Sequence, residues 1–436
     1  MKRTSGKLLT TGKLTVLLNF LLVVIWFSQS TAQQAYEAYY LKIKSYPEDA
    51  THDWNPSGTE SQGVTHDDAN WYFTNTDFDG GNARLWRIPV SVALNQNVSS
   101  RPGVRVASMV GTPSLNSAKY NHWGDPDHYR YNGTDYILVP MTSGVRLPPA
   151  IAVFRAADLS FVAYNPFPSG GDLPDIGWCA VTPAGDLITS KDDAKVLLRY
   201  SVAWNLLQSS PPQLFMTYKD THPLRDANGA PLNDVTLIHN MQGGEFTPSG
   251  ELLYISSGNG ECLGFGHGRF ATDGIHVFET ATWREIQRSA NSARGERGYF
   301  NYSFDNGCTC LFGSQTPEGL TIWDLDDGRA PNVSGQLHVL MNFYNRYASC
   351  DDALSIQHFG GKLYVDGANG FPPAWADPLP GTAARPFNTV NNAFNWYPAW
   401  DRVQIIIRAD SYPETGTFSK RVRITSQGGA AIVGKK

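Results

Sequence analysis

The chain has 436 residues, of which 41% are hydrophobic, 12% aromatic and 17% charged, with a formal charge of −5. That is too long for one small core, too apolar for a disordered chain and too acidic to neutralise a phosphate backbone, so nucleic acid is excluded as a natural partner. Its 41 glycines and 27 prolines are dispersed rather than periodic, which excludes collagen and coiled coil and favours many short strands joined by turns.

In chain order, Lys2, Arg3, Lys7 and Lys13 precede an apolar run from Leu14 to Phe27, and Ser30-Thr31-Ala32 follows. A basic start, a short apolar run and small residues at the cleavage position make residues 1–32 a signal peptide. Cleavage removes four positive charges and leaves 31 against 40 negative ones. The expected protein is secreted, periplasmic or surface-bound, and carries no transmembrane segment once cleaved. Five cysteines remain, Cys179, Cys262, Cys308, Cys310 and Cys350, enough for two disulfides and one leftover thiol in an oxidising compartment. Sequons at Asn97, Asn132, Asn301 and Asn332 mark surface loops.

From Tyr36 to about residue 362 a block recurs: a polar residue beside glycine, an apolar strand, a turn, a second apolar strand. The blocks open at Gln62-Gly63-Val64, Gly124-Asp125-Pro126, Gly177-Trp178-Cys179, Gln242-Gly243-Gly244, Glu318-Gly319-Leu320 and Asp351-Asp352-Ala353. Two carry the same turn, Val181-Thr182-Pro183-Ala184-Gly185 before Leu187-Ile188 and Phe246-Thr247-Pro248-Ser249-Gly250 before Leu252 to Ile255. Ile151 to Phe154 and Ile275 to Phe278 then supply third strands. Four short strands per block is the cadence of a β-propeller, here with five or six blades, and Tyr39 to Ile43 would close the ring by pairing with the last blade. The 76 residues between Gln242 and Glu318 leave room for an insertion around Asn291 to Tyr302. A sandwich is the competing all-β architecture.

Residues 363–436 have a different order: Tyr364-Val365-Asp366-Gly367, then Gly381 to Val390, then Val403-Gln404-Ile405-Ile406-Ile407-Arg408, then Ser411-Tyr412-Pro413-Glu414. This order resembles the opening of right-handed parallel β-helix proteins of the pectate-lyase-like superfamily. Phe387, Val390 and Phe394 fall on one face of a short cap helix, the isoleucine run reads as the first buried strand, and Arg421 to Ile424 would stack on it. The chain departs from the pattern at Trp400-Asp401, where a Gly-Asp pair is usual, and ends after one or two coils. The resemblance therefore implies a fold, an incomplete β-helix that must dock on something, and no lyase activity.

Block heads converge around a propeller's axis, so they are the candidate site. Gln62, Trp123, Trp178, His239 and Gln242 would bind a ligand, the tryptophans either stacking on sugar rings or, the commoner role, filling the tapering interfaces between blades. Glu318, Asp351 and Asp352 are candidate acid–base carboxylates. The dense cluster His122, Asp125 and Asp127 suits calcium or another divalent cation, or a plain Asp-Pro-Asp turn. No GxSxG, HExxH or P-loop pattern is present. Two functions fit these residues: a secreted or surface protein that binds an extracellular glycan or cell-surface component at the channel, or a polysaccharide lyase or hydrolase that uses channel carboxylates and a divalent metal.

Overall fold

The computed structural model describes residues 41–43, 59–77, 81–94, 98–145, 147–168, 173, 175–258, 274–288, 313–331, 333, 335–345, 354–360, 362–372, 381, 385–395, 404–416 and 423–434. After the short strand β1 (Leu41–Ile43) come five antiparallel sheets. The first holds β2 (Thr59–His66), β3 (Asn70–Asp77), β4 (Ala83–Pro89) and β5 (Arg105–Ser108). In the second, β6 (His122–Trp123) and β7 (Asp127–Tyr131) share the edge of β8 (Thr134–Thr142), followed by β9 (Ala150–Arg155) and β10 (Phe161–Pro166). The third comprises β11 (Ala180–Val181), β12 (Asp186–Thr189), β13 (Val196–Val202) and β14 (Met216–Pro223). β15 (Met241–Phe246), β16 (Leu252–Ser257), β17 (Gly274–Glu279) and β18 (Arg284–Arg288) make the fourth. The fifth is β19 (Gly313–Ile322), β20 (Leu337–Asn345) and β21 (Leu354–Gly360), completed on its outer edge by β1.

The turns read from sequence set these strands. Thr182 and Thr247 each accept the amide of a glycine three residues on, Gly185 and Gly250, at 2.8 Å. Both glycines have positive φ, +87° and +74°, the region a side chain resists.

Inner strands adjoin in succession, β2 to β7, β7 to β11, β11 to β15, β15 to β19 and β19 back to β2. Apolar packing follows the same circuit. One buried cluster lies between each neighbouring pair of sheets, among them Trp71 and Phe73 against Trp323 and Leu340, and Tyr136 and Leu138 against Leu187 and Tyr200. Each fully buried large side chain is worth about 1.5–3 kcal/mol, so the clusters are what fix the ring. The protein is thus an all-β propeller, and the described residues place five sheets in the ring. The strand that follows the sixth block head in sequence, β21, opens no blade of its own but is the third of the blade headed by Glu318-Gly319.

The ring closes where the sequence placed the closure. β1 pairs with β21, Leu41 opposite Gly360 and Ile43 opposite His358. The chain then runs directly into β22 (Lys362–Val365), which pairs in parallel with β23 (Gln404–Arg408), itself parallel to β25 (Arg423–Gln427). Tyr364, Ile406 and Thr425 thereby stack in one register. A second parallel pair joins β24 (Ser411–Tyr412) to β26 (Ile432–Val433). The isoleucine strand is therefore the second of the stack, β22 being the first. A short helix (Val390–Asn395) buries Val390, Ala393 and Phe394 against these strands, and Glu414 accepts the amides of Val390 and Asn391 at 2.8 and 2.7 Å. Lys362 pairs with Asp324, and the Tyr364 hydroxyl donates to Asp326 at 2.9 Å, which ties this parallel module to the fifth blade.

Candidate functional site: the axis and its mouth

The inner strands share one local device. The pairing shifts register between Ser61 and Gly63, between Met241 and Gly243, and between Pro317 and Gly319, so Gln62, Gln242 and Glu318 each occupy a β-bulge immediately before a glycine. A bulge re-aims one side chain, and the glycine after it lets backbones approach. The approach is close: a Cβ on Gly63 would lie 2.2 Å from the Asp125 Cα, and one on Gly319 would lie 2.2 Å from Asp125 Oδ1.

Asp125 is the residue they enclose. It is fully buried. Its Oδ1 accepts the Val64 amide at 2.8 Å and its Oδ2 the Gly244 amide at 3.1 Å, with the Leu320 amide a third donor. Its own backbone donates to Gly177 O at 2.7 Å and accepts from Cys179 N at 3.3 Å. One side chain and its peptide group thus join all five inner segments. Burial pushes this carboxyl well above the usual carboxylate range, against the pull of the three amides.

Two carboxyls lie beyond it toward the C-terminal ends of the inner strands. Asp127 accepts the Val181 amide at 2.5 Å and the His128 amide at 2.7 Å, and burial raises it to about 7. Glu245 is raised by burial and then by the Asp127 charge, and its Oε1 is 3.9 Å from His66 Nε2. These groups are boxed in by backbone donors and packed strands.

The N-terminal mouth is different. Gln62, Gln242 and Glu318 stand at their bulges on the N-terminal side of the Asp125 contacts, Gln62 and Glu318 buried, His122 opens the two-residue strand β6 before Gly124, and Asp192 sits in the hairpin between β12 and β13. Asp192 O accepts the Met241 amide at 2.7 Å, which places this turn beside the start of β15. Burial, then the charges of Asp175 and Asp193, raise the Asp192 carboxyl to about 7. His122 is lowered by burial, with Asp175 opposing. Gln242 Nε2 donates to Asn240 Oδ1 at 2.8 Å, and His239 Nδ1 is 3.3 Å from Asp193 Oδ1. This side therefore holds a partly buried carboxyl raised to about 7, an imidazole whose charged form burial disfavours, two amides and a buried glutamate, residue types able to donate and accept hydrogen bonds.

The structure redistributes the residues singled out from sequence. Gln62, Gln242 and Glu318 come to equivalent bulges on three inner strands, Gln62 and Glu318 buried there, while His239 lies before β15 with its Nδ1 3.3 Å from Asp193 Oδ1. Trp123 and Trp178 do not present a face there: both are fully buried, with Nε1 donating to Tyr120 O at 2.8 Å and Ser190 Oγ at 2.9 Å, so they pack blade against blade. His122, Asp125 and Asp127 do not form one ion site. Asp125 and Asp127 spend their oxygens on amides, His122 lies at the mouth, and among the described residues no three His, Cys, Asp or Glu side chains converge on a metal position. Asp351 and Asp352, residues 1–32, the proposed insertion and four of the five cysteines lie outside the described residues. Cys179 is a buried free thiol. Asp192 and Glu245 were missed. The Asp192-Asp193 pair in a turn after Leu187-Ile188-Thr189 was the available signal for the first; nothing local marks the second.

No protein-family model and no curated protein matches the chain. Among solved structures it is similar to the GH43_1 enzyme from Xanthomonas citri complexed with xylose, at 13% identity and TM-score 0.38 over 84% of this chain and 100% of that one. Another is the catalytic domain of the Coprinopsis cinerea GH62 alpha-L-arabinofuranosidase, at 12% and 0.37 over 73% and 97%. A third is the GH43 endo-arabinanase from Bacillus licheniformis, at 12% and 0.34 over 70% and 93%. Likeness at this level transfers neither activity nor residue roles. Among the described residues no helix is long and apolar enough to cross a membrane.

Proposed function

We propose that the protein is an exported carbohydrate-active enzyme, a hydrolase in preference to a lyase, whose site is the N-terminal mouth of the propeller. The observation that carries this reading is Asp192, a carboxyl raised to about 7 beside the mouth, the range in which a general acid is most effective at neutral pH. Glu318, at the bulge of the fifth blade, is the complementary carboxylate, and Gln62 and Gln242 orient hydroxyl groups. The glycan-binding reading keeps Gln62, Gln242 and His239 but loses the two tryptophans meant to stack on sugar. A lyase must bind a uronate, and a rim bearing Asp175, Asp192, Asp193 and Glu318 disfavours an anionic chain. Export rests on residues 1–32, and the pectate-lyase-like kinship of the parallel module on its motifs.

Turnover on a panel of neutral polysaccharides and aryl glycosides, with Asp192→Asn and Glu318→Gln as variants, tests the proposal. Each substitution is expected to lower kcat by about 10²–10⁴-fold. Glycan binding by the wild type without turnover of any panel member refutes the enzyme and leaves the binding protein.

A further inference from the structure

The fifth blade carries two buried histidines that the mouth does not use. His338 on β20 and His358 on β21 face each other in register, both essentially without solvent exposure. Their Nδ1 atoms are 2.6 Å apart, and His338 Nε2 is 2.7 Å from Trp323 O. With both rings neutral, these contacts allow one arrangement of protons. A carbonyl only accepts, so His338 carries its proton on Nε2 and offers a bare Nδ1; His358 must then donate from Nδ1, which leaves its own Nε2 bare. That atom is buried and has no hydrogen-bond partner. A further proton on His338 Nδ1 opposes the His358 N–H unless His358 moves its own proton to Nε2, and a proton on His358 Nε2, by either route, finds no acceptor for that N–H and leaves a buried charge.

We propose that this pair is an acid-sensitive clasp on the ring closure: adding a proton to either imidazole breaks the pair and loosens β1 from β21. The link to β1 is direct, because Ile43 pairs with His358. Charges on every side leave the clasp unsupported in acid. From the first blade, His66 lies stacked on Trp323 with centroids 4.5 Å apart and adds like charge when protonated, although Glu245 stands 3.9 Å from it, and Trp71 brings only a ring edge to His338. From the turn after β19, Asp324 favours the charged form but is engaged by Lys362 and Gln336. From β1, Lys42 stands opposite Phe359, next to His358. Burial lowers His338 to about 3 and His358 well below the usual range. An unfolded imidazole titrates near 6.5, so the unfolded chain binds more protons below that pH, and stability is lost as pH falls from about 6.5 toward 3.

The fourth blade supplies an internal control. His276 is equally buried, yet its Nε2 meets Ser257 Oγ at 3.0 Å and its Nδ1 meets Glu285 at 2.6 Å, with Arg288 on the same carboxylate.

Hydrogen exchange of the full chain at pH 7.5 and 5.0, corrected for intrinsic rates, tests the clasp. Segments 41–43 and 354–360 are expected to gain at least tenfold in opening equilibrium at pH 5.0, segments 252–257 and 274–279 under threefold. The double variant His338→Met/His358→Leu is expected to cut the first response below threefold. An equal response in both blades, or an undiminished response in the variant, overturns the proposal. If the variant does not fold, spectra of histidine ¹⁵N-labelled wild type decide: two rings neutral at pH 5, with His358 protonated at Nδ1, support the clasp, and titration of either near 6.5 removes it.

Discussion

Asp125 and Asp192 are both aspartates beside the propeller axis, both pushed upward by burial, and they do opposite work. Asp125 receives amides from strands 61, 119 and 195 residues away and has nothing left to offer a ligand. Asp192 is only partly buried, and its side chain is surrounded by other carboxyls rather than by donors. The difference teaches that closeness to the axis does not make a carboxyl functional. What matters is whether backbone donors have already consumed its lone pairs.

Substitution at the two positions separates stability from activity. Asp125→Ala removes the shared acceptor of three buried amides and is expected to cost about 3–5 kcal/mol, read as a lowered urea midpoint or as failure to fold. Asp192→Asn is expected not to destabilise the fold: it leaves stability nearly unchanged below about pH 4 and raises it as pH climbs toward 7, because the folded carboxyl, raised to about 7, resists ionisation that the unfolded chain allows. Comparable destabilisation by both would dissolve the contrast. Gly319→Ala probes the same knot from the other side: its Cβ would lie 2.2 Å from Asp125 Oδ1, so a loss of about 1–3 kcal/mol is expected, whereas Gly133→Ala, at a turn with open space around the missing Cβ but a φ of +77°, is expected to cost about 1 kcal/mol.

Asp127 sharpens the comparison through pH. Its folded pKa of about 7 lies above the ordinary 3.8, so its contribution is fully present below about pH 3.8 and is lost as pH rises through 7. Asp127→Asn is therefore expected to flatten a decline in stability between pH 4 and 7, measured by denaturant melts at several pH values. The histidine clasp acts with the reverse sign over the same window, so the difference between variant and wild type is the quantity to read. The smallest effect belongs to the link with the parallel module: Tyr364→Phe removes one hydrogen bond to Asp326 and is expected to cost about 0.5–1.5 kcal/mol.

Much of the ring was legible because it repeats. Five of the six block heads open blades, and the Thr-Pro-x-Gly turns and the closing strand at Ile43 fall where local pattern put them. Asp351-Asp352 misled because an acidic pair before an apolar strand looks the same whether the strand is the first or the third of its blade. Packing between blades was legible for Trp123 and Trp178 as the commoner of two roles; which role each indole takes was not, and shows only once the wedge between neighbouring blades is in place. Nor could the role of Asp125 be read, since its partners are main-chain N–H groups, which every residue but proline possesses. Asp192 was passed over because hairpin turns ordinarily face solvent, and its rise depends on Asp175 and on the ring that brings the start of β15 alongside.

The most direct test is the pH dependence of kcat/KM on a neutral glycan substrate, measured for the wild type and Asp192→Asn. A basic limb near pH 7 in the wild type that disappears in the variant is the predicted result. The same limb in both proteins would contradict the assignment of Asp192 as the acid at the mouth.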